Sequence, residues 1–275
     1  MKKIIIVILA LLLVACKNEV SYERIHRESK HELAEMMNLI SIKPTYDNPL
    51  RQDYSCKFIS SYNYGKAVPS SESIEEDYFN NVIMGGDSRM GSLALYSDLG
   101  DKGAEIYYVT SLSIWRIYDM NVDNAKEKGA LFDLINNTKR KNIYFFVGIN
   151  EINGTNMDVW QGELDNFVAE LKKKHANDNI YLLLGYYPRS MNGMSTESLI
   201  NAVKEENKRI INVAKKHRVL FLDLNDSKLI GDDGLLKEEL TWDGVHLSTD
   251  GAKILADYIS THVFREERYV QEICE

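Results

Sequence analysis

Asn81-Val82-Ile83-Met84-Gly85-Gly86-Asp87-Ser88-Arg89 joins a short apolar, β-rich run to residues that break it and favour a turn. Four later runs share the character of its first half: Glu105–Thr110, Asn142–Gly148, Asn179–Tyr187 and Val219–Leu224. Segments with a helical apolar period alternate with them. Asp158–Leu171 gathers Trp160, Leu164, Phe167, Val168 and Leu171 on one face. Thr196–His217 does so with Leu199, Ile200, Val203, Ile210, Ile211 and Ala214. Ser248–Val263 follows with Ile254, Leu255, Tyr258 and Ile259, opened by a Ser248 cap. Strands that read as continuous apolar runs between amphipathic helices predict a parallel sheet covered on both faces. The expected class is therefore α/β, a three-layer α/β/α sandwich around a five-stranded parallel sheet. Ligands of such sheets bind beyond the carboxyl ends of the strands, so chemistry is expected there.

Three of the five strand ends carry usable residues. The first ends in Gly85-Gly86-Asp87-Ser88-Arg89, the third in Gly148-Ile149-Asn150-Glu151, and a loop after the fifth holds Trp242-Asp243-Gly244-Val245-His246. Each alone has a plain reading: a helix cap, a loop, a hydrogen-bonded turn. Together, and in this order, they resemble the SGNH hydrolases, also called the GDSL esterase family. Its first block, Gly-Asp-Ser, falls on Gly86-Asp87-Ser88. Its third, Gly-x-Asn-Asp, falls on Gly148–Glu151, and its fifth, Asp-x-x-His, on Asp243–His246. The resemblance runs from about Asn81 to Val263 and implies the SGNH/flavodoxin-like form of the sandwich. It also implies an esterase with Ser88, Asp243 and His246 as catalytic residues.

These residue types suit the chemistry on independent grounds. A serine hydroxyl needs a base to take its proton, and histidine is suited to that role. The imidazole needs an acceptor on its other nitrogen, which Asp243 can supply locally from three residues away. The resemblance assigns the oxyanion donors to the Ser88 N–H, the Asn150 side chain and a glycine N–H of a second block. That block should lie in Thr110-Ser111-Leu112-Ser113-Ile114, where there is no glycine. Ser113 or a neighbour can still offer an N–H, in a tighter pocket than glycine would leave. Arg89 stands where the family has Leu; it could meet an anionic substrate group or pair with Asp87 in a solvated ion pair. Trp242 could wall the pocket or lie buried beneath the loop.

The start of the chain speaks to location. Lys2 and Lys3 precede an unbroken apolar run of eleven residues, Ile4 to Val14, and then Ala15-Cys16. A membrane-spanning helix needs about 20 apolar residues, so this run has the proportions of an export signal. Leu13-Val14-Ala15-Cys16 resembles a lipobox, which implies a bacterial lipoprotein lipidated at Cys16 and held at a membrane. The expected division is a signal over residues 1–15 and a lipidated tether with an N-terminal elaboration over 16–76. An SGNH hydrolase domain over 77–265 and a tail over 266–275 would follow. A helix is expected near Lys30–Leu39.

The 275 residues carry 33 Lys+Arg against 41 Asp+Glu, a formal charge of −8. Without Lys2 and Lys3 the balance is 31 against 41, or −10, which argues against nucleic acid as a partner. No Cys/His cluster has zinc-like spacing and no run resembles a calcium loop, so neither metal nor cofactor is expected. Cys56 and Cys274 could pair or remain two separate thiols. His26, His31, His175, His217 and His262 are expected in structural or solvated roles. Asn207, inside the long helix, could bind a loop near the site. The expected partner is an ester-bearing small molecule or glycan, with a short acyl group such as acetyl favoured by the crowded second block. Transfer of an acyl group to a glycan, or binding by an inactive scaffold, stay open as alternatives.

Overall fold

The computed structural model describes residues 56–72, 74, 77–125, 129–191 and 193–274. The export signal, Cys16, His26, His31 and the helix expected near Lys30–Leu39 lie outside these residues. Lys57–Ile273 forms one compact unit. No helix among the described residues is long and apolar enough to cross a membrane.

Strand β1 (Cys56–Ser60) opens the described chain. The central sheet is built from β2 (Val82–Gly86), β3 (Glu105–Tyr108), β4 (Asn142–Phe146), β5 (Asn179–Leu183) and β6 (Leu220–Leu222). Strand β7 (Val270–Cys274) pairs with β1 in a separate two-stranded sheet. The central order is β3-β2-β4-β5-β6, with every pair parallel. Among the described residues five α-helices accompany it: α1 (Ser88–Tyr96), α2 (Leu131–Asn136), α3 (Met157–Lys174), α4 (Thr196–His217) and α5 (Thr249–Thr261).

Strands β2, β4, β5 and β6 are buried on both faces while the edge strand β3 is only partly buried, and the pleat sorts the side chains. Ile83, Ile143 and Ile180 are in register and pack with Trp160, Leu164 and Phe167 of α3 and Ile210 and Ala214 of α4. One residue on, Met84, Tyr144, Tyr181 and Leu220 form a row toward the opposite face. There they pack with Met90 and Leu93 of α1 and Leu255 and Ile259 of α5. Tyr144 and Tyr181 stack at 4.2 Å between ring centroids. Burying each such side chain contributes about 1.5–3 kcal/mol, so both faces must be covered for the sheet to persist.

The five-stranded parallel sheet sandwiched by helices is the architecture expected from the sequence, and α4 spans the expected residues. Two details differ. Strands β4 and β5 stop at Phe146 and Leu183, short of Gly148 and Tyr187, because the chain there turns into loops that hold side chains of the site. Helices α1 and α2 were not expected; each is short, and α1 carries a glycine, so neither offers a long apolar period. Since β2 is flanked by β3 and β4, the crossovers diverge beside it. In sheets of this kind, ligands bind beyond the strand ends where the order reverses.

Candidate active site

Ser88 sits where β2 meets α1. Asp87 is the extended N-cap (φ −77°, ψ −168°), and its Oδ1 accepts the Arg89 N–H at 2.9 Å. Ser88 is thus the first helical residue, whose N–H has no partner within a helix. It donates no hydrogen bond among the described residues.

The loop carrying Asp243 and His246 is closed by its own bonds. The Trp242 N–H and the Thr241 hydroxyl both donate to the His246 carbonyl, at 3.0 and 2.7 Å. Gly244 has φ +92°, a region costly for other residues, and a Cβ there would lie 2.3 Å from Ser190 Oγ and 2.8 Å from its backbone nitrogen. Neighbouring groups hold the loop from outside. Ser190 Oγ donates to the Asp243 carbonyl at 2.8 Å, the Arg189 N–H to that of Gly244 at 2.8 Å, and Tyr186 Oη to that of Val245 at 2.5 Å. Asp243 Oδ1 accepts the N–H groups of Val245 (2.9 Å) and His246 (2.8 Å). Its Oδ2 lies 2.7 Å from His246 Nδ1, and His246 Nε2 lies 2.8 Å from Ser88 Oγ. Partial burial opposes the Asp243 charge, yet these hydrogen bonds outweigh it and hold the carboxyl below its ordinary range. With the proton on Nδ1 facing Asp243, Nε2 can accept the Ser88 hydroxyl proton. The three residues expected from sequence therefore form one hydrogen-bonded row.

The second and third blocks meet beside it. After β3, the Thr110 N–H and hydroxyl both reach Asp123 Oδ2, the Leu112 N–H reaches the Val109 carbonyl, and the Ile114 N–H reaches Glu151 Oε1 at 2.6 Å. The N–H groups of Ser111 and Ser113 donate no hydrogen bond among the described residues. Ser111 has φ +56°, the left-handed backbone that favours glycine. Within the block expected to hold a glycine, Ser111 thus takes the backbone that a glycine would favour, and it joins Ser113 as a candidate donor. Asn150 Nδ2 donates to the Leu112 carbonyl at 2.8 Å, which ties the two blocks together and commits one of its two N–H bonds.

The substrate-facing role left open for Arg89 is corrected. Its side chain is wholly buried: Nε and Nη2 donate to Asp87 at 3.1 and 2.8 Å, and the guanidinium lies 3.8 Å from the Phe146 ring centroid. It pairs with Asp87, but away from solvent. Burial works against the charge, and Asp87 more than compensates, raising the Arg89 pKa. Trp242 is not beneath the loop; it is 66% exposed, with its ring 6.5 Å from that of Tyr96. Asn207 binds both the N–H and the carbonyl of Gly185, at 2.7 and 2.8 Å, just past β5. His175 pairs with Asp178, His217 with Asp165, and His262 stacks on Tyr258.

Glu206 and the packing of Glu151 were missed. Glu206 is fully buried on the stripe of α4 that also carries Val203, Asn207, Ile210 and Ala214, so a charge on an apolar face was its visible signal. Burial raises the Glu206 carboxyl to about 8 and the Glu151 carboxyl to about 7. Among the described residues, no cluster of His, Cys, Asp or Glu could hold a metal ion.

Solved structures share this architecture. A protein assigned to the G-D-S-L lipolytic family from Desulfitobacterium hafniense superposes with a TM-score of 0.52 at 18% identity, over 66% of this chain and 99% of its own. A GDSL-like lipase from Bacteroides thetaiotaomicron gives 0.51 at 17% identity, over 72% of this chain and 91% of its own. A comparison with curated proteins finds no match. The sequence model of one family, however, spans residues 51–259, from ahead of β1 into the last turn of α5. That span takes in every strand end described above, and by it the chain belongs to the GDSL-like lipase/acylhydrolase family of ester hydrolases.

Proposed function

We propose that this chain is an exported serine esterase that hydrolyses a carboxylic ester through an acyl-enzyme on Ser88. The observation that carries this reading is the continuous row Ser88 Oγ–His246 Nε2 at 2.8 Å and His246 Nδ1–Asp243 Oδ2 at 2.7 Å. Ser88 Oγ attacks the ester carbonyl as His246 Nε2 takes its proton, and Asp243 stabilises the resulting imidazolium. The oxyanion is met by the Ser88 N–H, the second N–H of Asn150 and a second-block N–H of Ser111 or Ser113. The tetrahedral centre collapses, the ester C–O bond breaks, and His246 returns its proton to the departing alcohol. Water then attacks the acyl carbon as the same imidazole takes its proton, and the imidazolium protonates the departing Ser88 Oγ, which releases the free acid.

The proposed substrate is a short acyl group such as acetyl on a carbohydrate. The second block has no glycine, and the left-handed backbone at Ser111 carries a side chain where glycine would leave open space, which supports a small acyl group. Trp242, next to Asp243 in the chain, and Tyr96, whose ring lies 6.5 Å from that of Trp242, are both exposed and offer flat apolar faces that suit a sugar ring. The lipobox-like Leu13–Cys16 supports an enzyme lipidated at Cys16 and acting outside the cytoplasm.

Hydrolysis of p-nitrophenyl acetate and acetate release from an acetylated sugar test this directly. Ser88→Ala should reduce both to the uncatalysed background, a loss of about 10³-fold or more. Equal release by the two proteins would sink the esterase reading. Trp242→Ala should raise KM for the sugar ester while leaving p-nitrophenyl acetate unaffected. Radiolabelled palmitate entering the wild type but not Cys16→Ala tests the anchor.

A further inference from the structure

The chemistry proposed at Ser88 leaves unused a group of buried ionisable side chains packed around the turn that carries it. Arg89 is clamped by Asp87 and Phe146, and its Nη1 has no hydrogen-bond partner among the described residues. Glu206 of α4 is wholly buried, and neither of its carboxyl oxygens has a partner among those residues. Its position is tight. A Cβ on Gly148 would lie 2.0 Å from Glu206 Oε1 and 3.1 Å from the Trp160 ring. The carboxyl therefore rests on the backbone of Gly148, which has φ +125° and stands two residues before Asn150. One residue beyond Asn150, Glu151 Oε1 accepts the Ile114 N–H and the Trp160 Nε1–H, at 2.6 and 3.2 Å. Asn207, next to Glu206, grips Gly185 after β5. One turn of α4 thus props two neighbouring strand-end loops.

We propose that Glu206 is a positioning residue for the reaction assigned to Ser88. Held as a neutral acid near Arg89 and against the Gly148 backbone, it sets the loop bearing Asn150 against the turn bearing Ser88. The inference rests on the esterase reading for its kinetic consequence, though not for its geometry.

Charge balance requires the neutral form. Asp87 already matches Arg89, and a second buried carboxylate receiving no hydrogen bond would be an uncompensated charge. The groups around it are Arg89 of α1, Asp87 of the preceding turn and Glu151 of the β4–α3 loop; Tyr186, after β5, faces the Asp87–Arg89 pair. Burial pushes Glu206 up most strongly; Arg89 offsets part of that, and Asp87 and Glu151 push it further, to about 8. The sign follows. A carboxyl whose folded pKa lies above its unfolded one stabilises the fold fully at acid pH, and the benefit is lost as pH rises through about 8. Deprotonation places an anion against Gly148 and draws Arg89 from Asp87, and the oxyanion loop loses its seat.

The test compares wild type, Glu206→Gln and Glu206→Ala by melting temperature and by kcat and KM on p-nitrophenyl acetate, between about pH 6 and about pH 9. The amide mimics the neutral acid, so Glu206→Gln should keep kcat within about threefold at the acid end and escape the alkaline decline of the wild type. Glu206→Ala should lower kcat by about tenfold or more across the range with KM within about twofold, because the loss falls on the transition state. An alkaline limb shared by wild type and Glu206→Gln, an unchanged kcat in Glu206→Ala, or a Glu206→Gln protein that does not fold would each overturn the proposal. Should the chain hydrolyse no ester, the melting arm still decides. The wild type must lose several degrees relative to Glu206→Gln as pH rises, and parallel curves refute the neutral acid whatever the activity.

Discussion

Asp243 and His246 meet at 2.7 Å on a surface loop, whereas Asp87 and Arg89, the immediate chain neighbours of Ser88, meet at 2.8 Å inside the fold. The distances barely differ. Side-chain exposure does: 54% and 38% for the first pair, 0% and 0% for the second. In water, an ion pair contributes at most about 1 kcal/mol and its partners can exchange protons with solvent and substrate. Away from water, the same chemistry fixes geometry, and removing one partner is costly because the other charge is stranded. The two pairs bracket one hydroxyl, with proton handling outside and scaffolding within.

Separate substitutions should pull these roles apart. The largest effect is expected for Asp243→Asn, which keeps the shape but loses the acceptor for Nδ1. Ester hydrolysis should fall by about 10⁴-fold while the urea unfolding midpoint stays close to wild type. A loss of tenfold or less would mean that another group orients His246. Asp87→Ala should give the reverse weighting. Stranding Arg89 should cost about 3–5 kcal/mol of stability, read from urea unfolding, with activity falling as a consequence. A smaller cost would mean the interior around Arg89 is wetter than its burial indicates. Arg89→Lys keeps the charge but not the two-pronged donation to Asp87 or the stack on Phe146, and about 1.5–3 kcal/mol should be lost. The smallest change is expected at Ser111, on the exposed backbone between these regions. Ser111→Gly should relieve the left-handed strain, raise stability by about 0.5–1 kcal/mol and retain activity.

The sequence and structure agree where signals are local or periodic. The α4 limits, the five strands and the three members of the hydrogen-bonded row all rest on patterns confined to a few neighbouring residues. What escaped depends on partners distant in the chain. Arg89 reads as a surface charge until Phe146 and the buried Asp87 close over it. Gly148 reads as a loop glycine until Glu206, 58 positions later in the chain, shows what occupies the space of its absent side chain. Ser111 illustrates a third case: a backbone conformation that residue type argues against, imposed by the bonds of Thr110 and Leu112 on either side.

The short loop from Trp242 to His246 has a consequence of its own. Because the imidazole and the carboxylate that steers it travel on one closed turn, the pair is transferable as a single cassette. An insertion between them would break the local geometry outright. An insertion in the chain on either side would move both together and preserve their partnership. What such an insertion would put at risk is the other join, the 2.8 Å approach of the imidazole to Ser88, which the external bonds from Ser190, Arg189 and Tyr186 maintain.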